Sequence, residues 1–165
     1  MCYLGQELVY EDASETLERL LGIETNAKQI ERVCHHYGEV LEKQKQNEIA
    51  AGGSAPKITD GKKYYAMMDG SMILTREEGW KEIKLARIFA AEQKVSVSKD
   101  RNFIGESMYV AHLGKHTDFF QKVEYHLDSK AEIIFVADGA PWIWKRVEAM
   151  YPESTQILDF YHAKE

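Results

Sequence analysis

Ile133-Ile134-Phe135-Val136-Ala137-Asp138-Gly139-Ala140-Pro141-Trp142-Ile143-Trp144 decides the fold class. Residues 133–137 are apolar without a break, the pattern of a strand buried in the middle of a sheet. An acid and a glycine end the run. Pro141 then suits the first turn of a helix, because its φ is already helical and its missing N–H would have no partner there. Trp142, Ile143, Val147 and Met150 carry that helix, and Pro152 stops it. Gln156–Leu158 begins a short strand that ends at Asp159.

Working upstream, Phe119–Leu127 has helical spacing, with Thr117 as its expected cap. Val95–Val97 reads as a third strand or a hairpin arm. In Trp80–Ala90, Trp80, Glu82 and Lys84 share one parity while Ile83 and Leu85 share the other, which predicts a half-buried strand. Tyr64–Met68 is a short apolar run expected to end at an Asp69-Gly70 turn, with Met72–Leu74 apolar again beyond it. The order is strand, strand, a further strand, helix, central strand, helix, strand. This predicts an α/β fold: a mixed sheet with flanking helices.

Residues 51–61, within AAGGSAPKITDG, are rich in Gly, Ala, Ser and Pro and read as a linker. They divide an N-terminal helical region, 1–50, from a core at 62–165. In the helical region Ser14 is the expected cap of a helix over 15–21, with Leu17, Leu20 and Leu21 on one face and Gly22 at its end. Thr25 or Asn26 then caps a longer helix whose Ile30, Val33, Tyr37, Val40 and Leu41 recur at helical spacing. A helix-turn-helix and a plain helical hairpin both fit, the hairpin being the commoner arrangement. Lys28 and Arg32, with Gln29, face solvent in either case and are the candidate DNA contacts of this arm.

The net charge of −6 gives no overall basic field for nucleic acid, although a local basic face would suffice. No apolar run approaches membrane-spanning length, so no membrane partner is expected. Cys2 and Cys34 have no metal-type spacing and read as reduced cytosolic thiols. The adjacent His35 and His36 point apart on a helix and suggest metal only faintly.

Asp69 and Asp138 share a local setting: each follows an apolar run and precedes a glycine. Asp-Gly is a common turn dipeptide, and either one alone reads as a turn. Together, at the ends of two strands, they mark the sheet edge where α/β proteins bind ligands. Two carboxylates held close repel unless a cation lies between them, and hard oxygen donors suit Mg²⁺ or Mn²⁺. Such ions serve in-line phosphoryl displacement.

Four segments carry a family likeness: Asp69-Gly70; Gly79-Trp80-Lys81-Glu82-Ile83-Lys84; Asp138-Gly139-Ala140-Pro141-Trp142-Ile143-Trp144; and Ile157-Leu158-Asp159-Phe160-Tyr161-His162-Ala163-Lys164-Glu165. Residues 62–165 resemble the catalytic core of bacterial insertion-sequence transposases related to the Mutator superfamily. The resemblance implies a ribonuclease-H-like sheet, here incomplete, and an Asp-Asp-Glu metal site for Mg²⁺ or Mn²⁺. Asp69 and Asp138 would be the first two ligands and catalytic residues. It also implies transposon-end and target DNA as partners, self-association or association with a full-length transposase, and a nucleoid-associated cytoplasmic location. Asp159 and His162 match a (Cys or Asp)-x-x-His element of the family and are auxiliary candidates; a helix-capping role for Asp159 fits equally. The family's catalytic Glu lies further downstream, and Glu165 is not its counterpart. The expectation is therefore a fragment inactive by itself, or alternatively a catalytically dead DNA-binding or interaction remnant. Trp142 and Trp144 could stack on bases, but as helix neighbours they cannot share a face. Lys81, Lys84 and Arg87 lie partly on one strand face and are candidate phosphate contacts, a plain solvated face being the commoner reading.

Overall fold

The computed structural model describes residues 1–54, 63–99, 101–127 and 131–159. The chain separates into two compact units, Met1–Gly53 and Ser54–Glu165.

The first unit has three helices, α1 (Cys2–Glu7), α2 (Tyr10–Leu21) and α3 (Ala27–Ala50). Its core is small: Ala13, Leu17 and Ile30, with Leu4, Tyr10 and Cys34 packed around them. α2 starts five residues before the sequence suggests. Ser14 lies inside it, its hydroxyl donating to the Glu11 carbonyl rather than capping the end. Gly22 closes α2 in the left-handed region at φ 64°, where a side chain would be strained. Asn26 caps α3, its Oδ1 accepting from the Gln29 N–H at 2.9 Å. Asn26→Ala should lower the unit's stability by about 1 kcal/mol, read as a lower midpoint in urea followed by helical circular dichroism. The predicted apolar stripe is only partly used. Leu20 and Leu21, and Tyr37, Val40 and Leu41, are exposed. Both cysteines are free thiols.

The second unit is a mixed α/β layer. Its strands are β1 (Lys63–Thr75), β2 (Gly79–Ala90), β3 (Lys94–Ser98), β4 (Arg101–Ile104), β5 (Met108–Leu113), β6 (Glu132–Ala137) and β7 (Thr155–Leu158). Its helices are α4 (His116–His126) and α5 (Pro141–Met150). Five strands form one sheet in the order β5-β2-β1-β6-β7. β5, β2 and β1 pair antiparallel, while β6 runs parallel to both β1 and β7. β3 and β4 form a separate two-stranded hairpin, so the Val95–Val97 stretch is a hairpin arm. The strand that flanks β2 in the main sheet is instead β5.

Period-two alternation builds the core. Tyr64, Ala66 and Met68 on β1, Ala86, Ile88 and Ala90 on β2, Val110 on β5 and Ile133, Phe135 and Ala137 on β6 are all buried. They join one cluster with Phe119, Phe120 and Val123 of α4 and Ile143 and Val147 of α5. Pro141 opens α5 as expected. α4 begins earlier than Thr117 would allow as its cap. Lys115 takes the cap position, and the Thr117 hydroxyl donates to Asp118.

Tyr151 closes the end of α5, its ring 5.2 Å from that of Phe135. Burial, with Glu124 adding and Arg146 opposing, pushes its phenol up to about 12. The unfolded phenol ionises near pH 10. Between those values the folded chain keeps a proton that the unfolded chain loses. The stability this phenol contributes is therefore complete below about pH 10 and is lost progressively toward about pH 12. Thermal melts through that window should fall more steeply for the native chain than for Tyr151→Phe.

Candidate metal centre

The strand register brings the predicted acids together. Met68 of β1 pairs with Ala137 of β6, and Ala137 pairs with Leu158 of β7. The next residue on each chain is Asp69, Asp138 and Asp159 respectively. Three carboxylate residues therefore stand one step past the last shared row of three neighbouring strands, which are spaced about 4.8 Å apart. All three line one cleft of about 310 Å³. The Asp159 N–H donates to the Ala137 carbonyl at 2.8 Å, which ties the end of β7 to the row.

Asp69-Gly70 is not a turn. β1 continues through it to Thr75, paired with β2 throughout. What ends beside Asp69 is its neighbour β6. The Asp69 Oδ1 accepts from the Gly70 N–H at 2.7 Å. Asp138 does sit after a strand end. Its Oδ1 accepts from the Ala140 N–H at 2.9 Å, and its carbonyl accepts the Trp144 indole N–H at 2.6 Å. Trp144 thus pins the turn that carries Asp138. Trp142 packs instead against Phe119 and Phe120. The two tryptophans do face different ways, and neither stands free for a base.

Each of Asp69 and Asp138 keeps a second oxygen without a partner among the described residues. Hard oxygen donors of this kind fit a divalent cation such as Mg²⁺ or Mn²⁺. Among the described residues no three His, Cys, Asp or Glu side chains are grouped closely enough to hold an ion. The donor chemistry fits, with Asp69 and Asp138 lining the same cleft. His162 and Glu165 lie outside the described residues.

The basic candidates divide. Lys28 and Arg32 are exposed on α3 of the helical unit. Lys81 is engaged with Glu78 at 3.0 Å. Lys84 cannot meet a phosphate: it is 5% exposed, because its parity on β2 is that of Ala86, Ile88 and Ala90, the core face. Its ammonium donates to Glu82 Oε2 and to the Gly114 carbonyl, both at 2.8 Å, and lies 5.5 Å from the Trp142 ring centre. Lys84 is a strut between β2, the start of α4 and the start of α5. Glu82, given no site role by the sequence, reaches across Gly70, where a β-carbon would fall 2.6 Å from its Oε1. The glycine after Asp69 leaves room for the Glu82 carboxylate and does not make a turn. Tyr109 was also not evident; it enters the cleft only because β5 joins the sheet.

No family model matches this chain, and no curated protein matches it.

Proposed function

We propose that the second unit belongs to the catalytic core of a DNA transposase of the insertion-sequence type related to the Mutator superfamily. Its sheet is read as ribonuclease-H-like, and its chemistry as metal-dependent phosphoryl transfer at transposon ends. The supporting observation is the register that sets Asp69 and Asp138 next to each other at the step where β6 stops. The sequence likeness places the family's first two acids at these same two positions.

In this reading Asp69 and Asp138 hold Mg²⁺ or Mn²⁺, which when bound supplies positive charge and Lewis acidity for an in-line displacement. The chain's own residues do the positioning. The ladder between β1 and β2 fixes Asp69, and the Ala140 N–H and the Trp144 indole fix the Asp138 turn. Lys84 braces Trp142 at the head of the same helix. Asp159, in the same row, adds negative potential that favours a cation. Two carboxylates bind Mg²⁺ weakly, since it retains most of its waters. DNA, and a second copy or a longer transposase, are the partners this reading requires.

Titration of the purified chain with Mn²⁺, followed by electron paramagnetic resonance, tests the proposal. Saturable binding displaced by Mg²⁺ is expected. A free-Mn²⁺ signal that never falls below the added concentration refutes it.

A further inference from the structure

The cleft that holds the acid row also holds a cation that none of those acids neutralises. Arg87 of β2 lies in the register row Met67–Arg87–Tyr109, two residue pairs along from Asp69–Leu85 and so on the same sheet face. Its Nε donates to the Ser107 hydroxyl at 3.0 Å. Its guanidinium carbon is 5.4 Å from the Phe89 ring centre and 5.6 Å from that of Tyr109. The group is thus flanked by two rings and tethered at one nitrogen. Its two terminal amino groups make no hydrogen bond or ion pair among the described residues.

A long side chain held this firmly has already given up much of its rotamer freedom, so little more is lost when an anion arrives. Guanidinium groups match phosphate geometry with paired donors. Beside Arg87, Tyr109 is 66% exposed, and Met67 and Leu85 are 38% and 42% exposed. The cleft therefore presents, in order, a flat aromatic surface, an immobilised cation, an apolar floor and a row of carboxylates. At about 310 Å³ it is near the lower limit for ligand pockets and has room for one nucleotide-sized unit, not a duplex.

We infer that this cleft seats one nucleotide of a single DNA strand, its phosphate on Arg87 and its base on Tyr109. The inference rests on the phosphoryl-transfer reading for its direction: a strand so held runs toward Asp69 and Asp138. The complementary charge at the Arg87 end and the exposed ring next to it select a nucleotide over a purely apolar or purely ionic occupant. Ring stacking tolerates any base, so the seat is sequence-indifferent.

The experiment measures fluorescence anisotropy of a labelled short oligothymidylate with the full chain across a salt series, in Mg²⁺. A Lys28→Gln, Arg32→Gln background keeps the helical unit's contribution low. Arg87→Gln should weaken binding about tenfold and reduce the salt slope by about 0.7, the value for one phosphate contact on a single strand. Tyr109→Ala should weaken it about tenfold with the slope unchanged. Arg87→Lys, which keeps the charge, should keep the slope while losing affinity, and it gives a second reading should Arg87→Gln fail to fold. Unchanged affinity and slope in folded Arg87→Gln or Tyr109→Ala would overturn the inference. So would displacement of the oligonucleotide by an oligoglutamate peptide at equal concentration, which would assign the cleft to acidic peptides. The two proposals fail separately. Mn²⁺ binding without Arg87 dependence removes the nucleotide seat alone. Arg87-dependent binding in a chain that never takes Mn²⁺ supports the seat and removes the metal reading.

Discussion

Asp138→Asn should abolish saturable Mn²⁺ binding by the purified chain, and Asp69→Asn should do the same. With Asp69 and Asp138 as the two proposed ligands, either amide halves the formal anionic charge they offer to the ion. The amide oxygen that remains is a neutral donor and does not replace it. The structural cost should be small. In both residues Oδ1 already accepts from a backbone N–H, at 2.7 Å in Asp69 and 2.9 Å in Asp138. An amide oxygen can accept the same bond, so the local backbone stays as it is. Asp159→Asn should weaken Mn²⁺ without removing it. Electron paramagnetic resonance titration distinguishes these outcomes. Equal loss in all three variants would make the row a diffuse acidic patch, and retention in Asp138→Asn would exclude Asp138 as a ligand.

The second large effect is on stability. Phe135 is fully buried at the centre of β6, on the core face between Ile133 and Ala137. Phe135→Ala should cost about 3–5 kcal/mol. Domains of this size hold about 5–15 kcal/mol in total, so the variant should sit close to its unfolding transition. All three tryptophans of the chain, Trp80, Trp142 and Trp144, lie in the second unit, so urea unfolding followed by tryptophan fluorescence reads that unit alone. A loss below about 1 kcal/mol would mean that β6 is not the buried central strand. The same ring packs against Tyr151, so alkaline destabilisation should also be blunted in this variant.

Much of the second unit was legible because its strongest signals are local. An uninterrupted apolar run followed by Asp, Gly and Pro leaves few options, and β6 and α5 occur where the pattern puts them. Asp69-Gly70 was harder. The dipeptide carries the chemistry of a turn, but a strand already laddered to β2 has no reason to stop there, and only the pairing reveals it. β5 is a six-residue segment with alternating character whose only buried residue is Val110, too weak a signal until β2 supplies a neighbour. Lys84 illustrates a different limit. A lysine suggests solvent, yet its parity with Ala86, Ile88 and Ala90 assigns it inward, and the compensating Gly114 carbonyl comes from thirty residues away. In α3 the stripe through Tyr37, Val40 and Leu41 has the right period, but in the helical unit only its first turns, around Ile30 and Cys34, meet α1 and α2. Period identifies the helix and does not reveal how much of it is covered.

For the acid row, the sequence could give the residue types and the local setting. Their adjacency is a property of strand order, which no short motif encodes. Arg87 shows the same point, since its restraint comes from Ser107 and Tyr109, both supplied by chain that returns beside β2.

The unbroken passage of β1 through Asp69 has a mechanical corollary. That residue has no slack on either side, being hydrogen-bonded strand before and after, whereas Asp138 opens directly onto Gly139, whose surroundings are empty. One jaw of the vise is bolted along its whole length, and the other hangs on two bolts, the Ala140 N–H and the Trp144 indole. Any adjustment of the gap between the two acids falls to the three residues from Asp138 to Ala140.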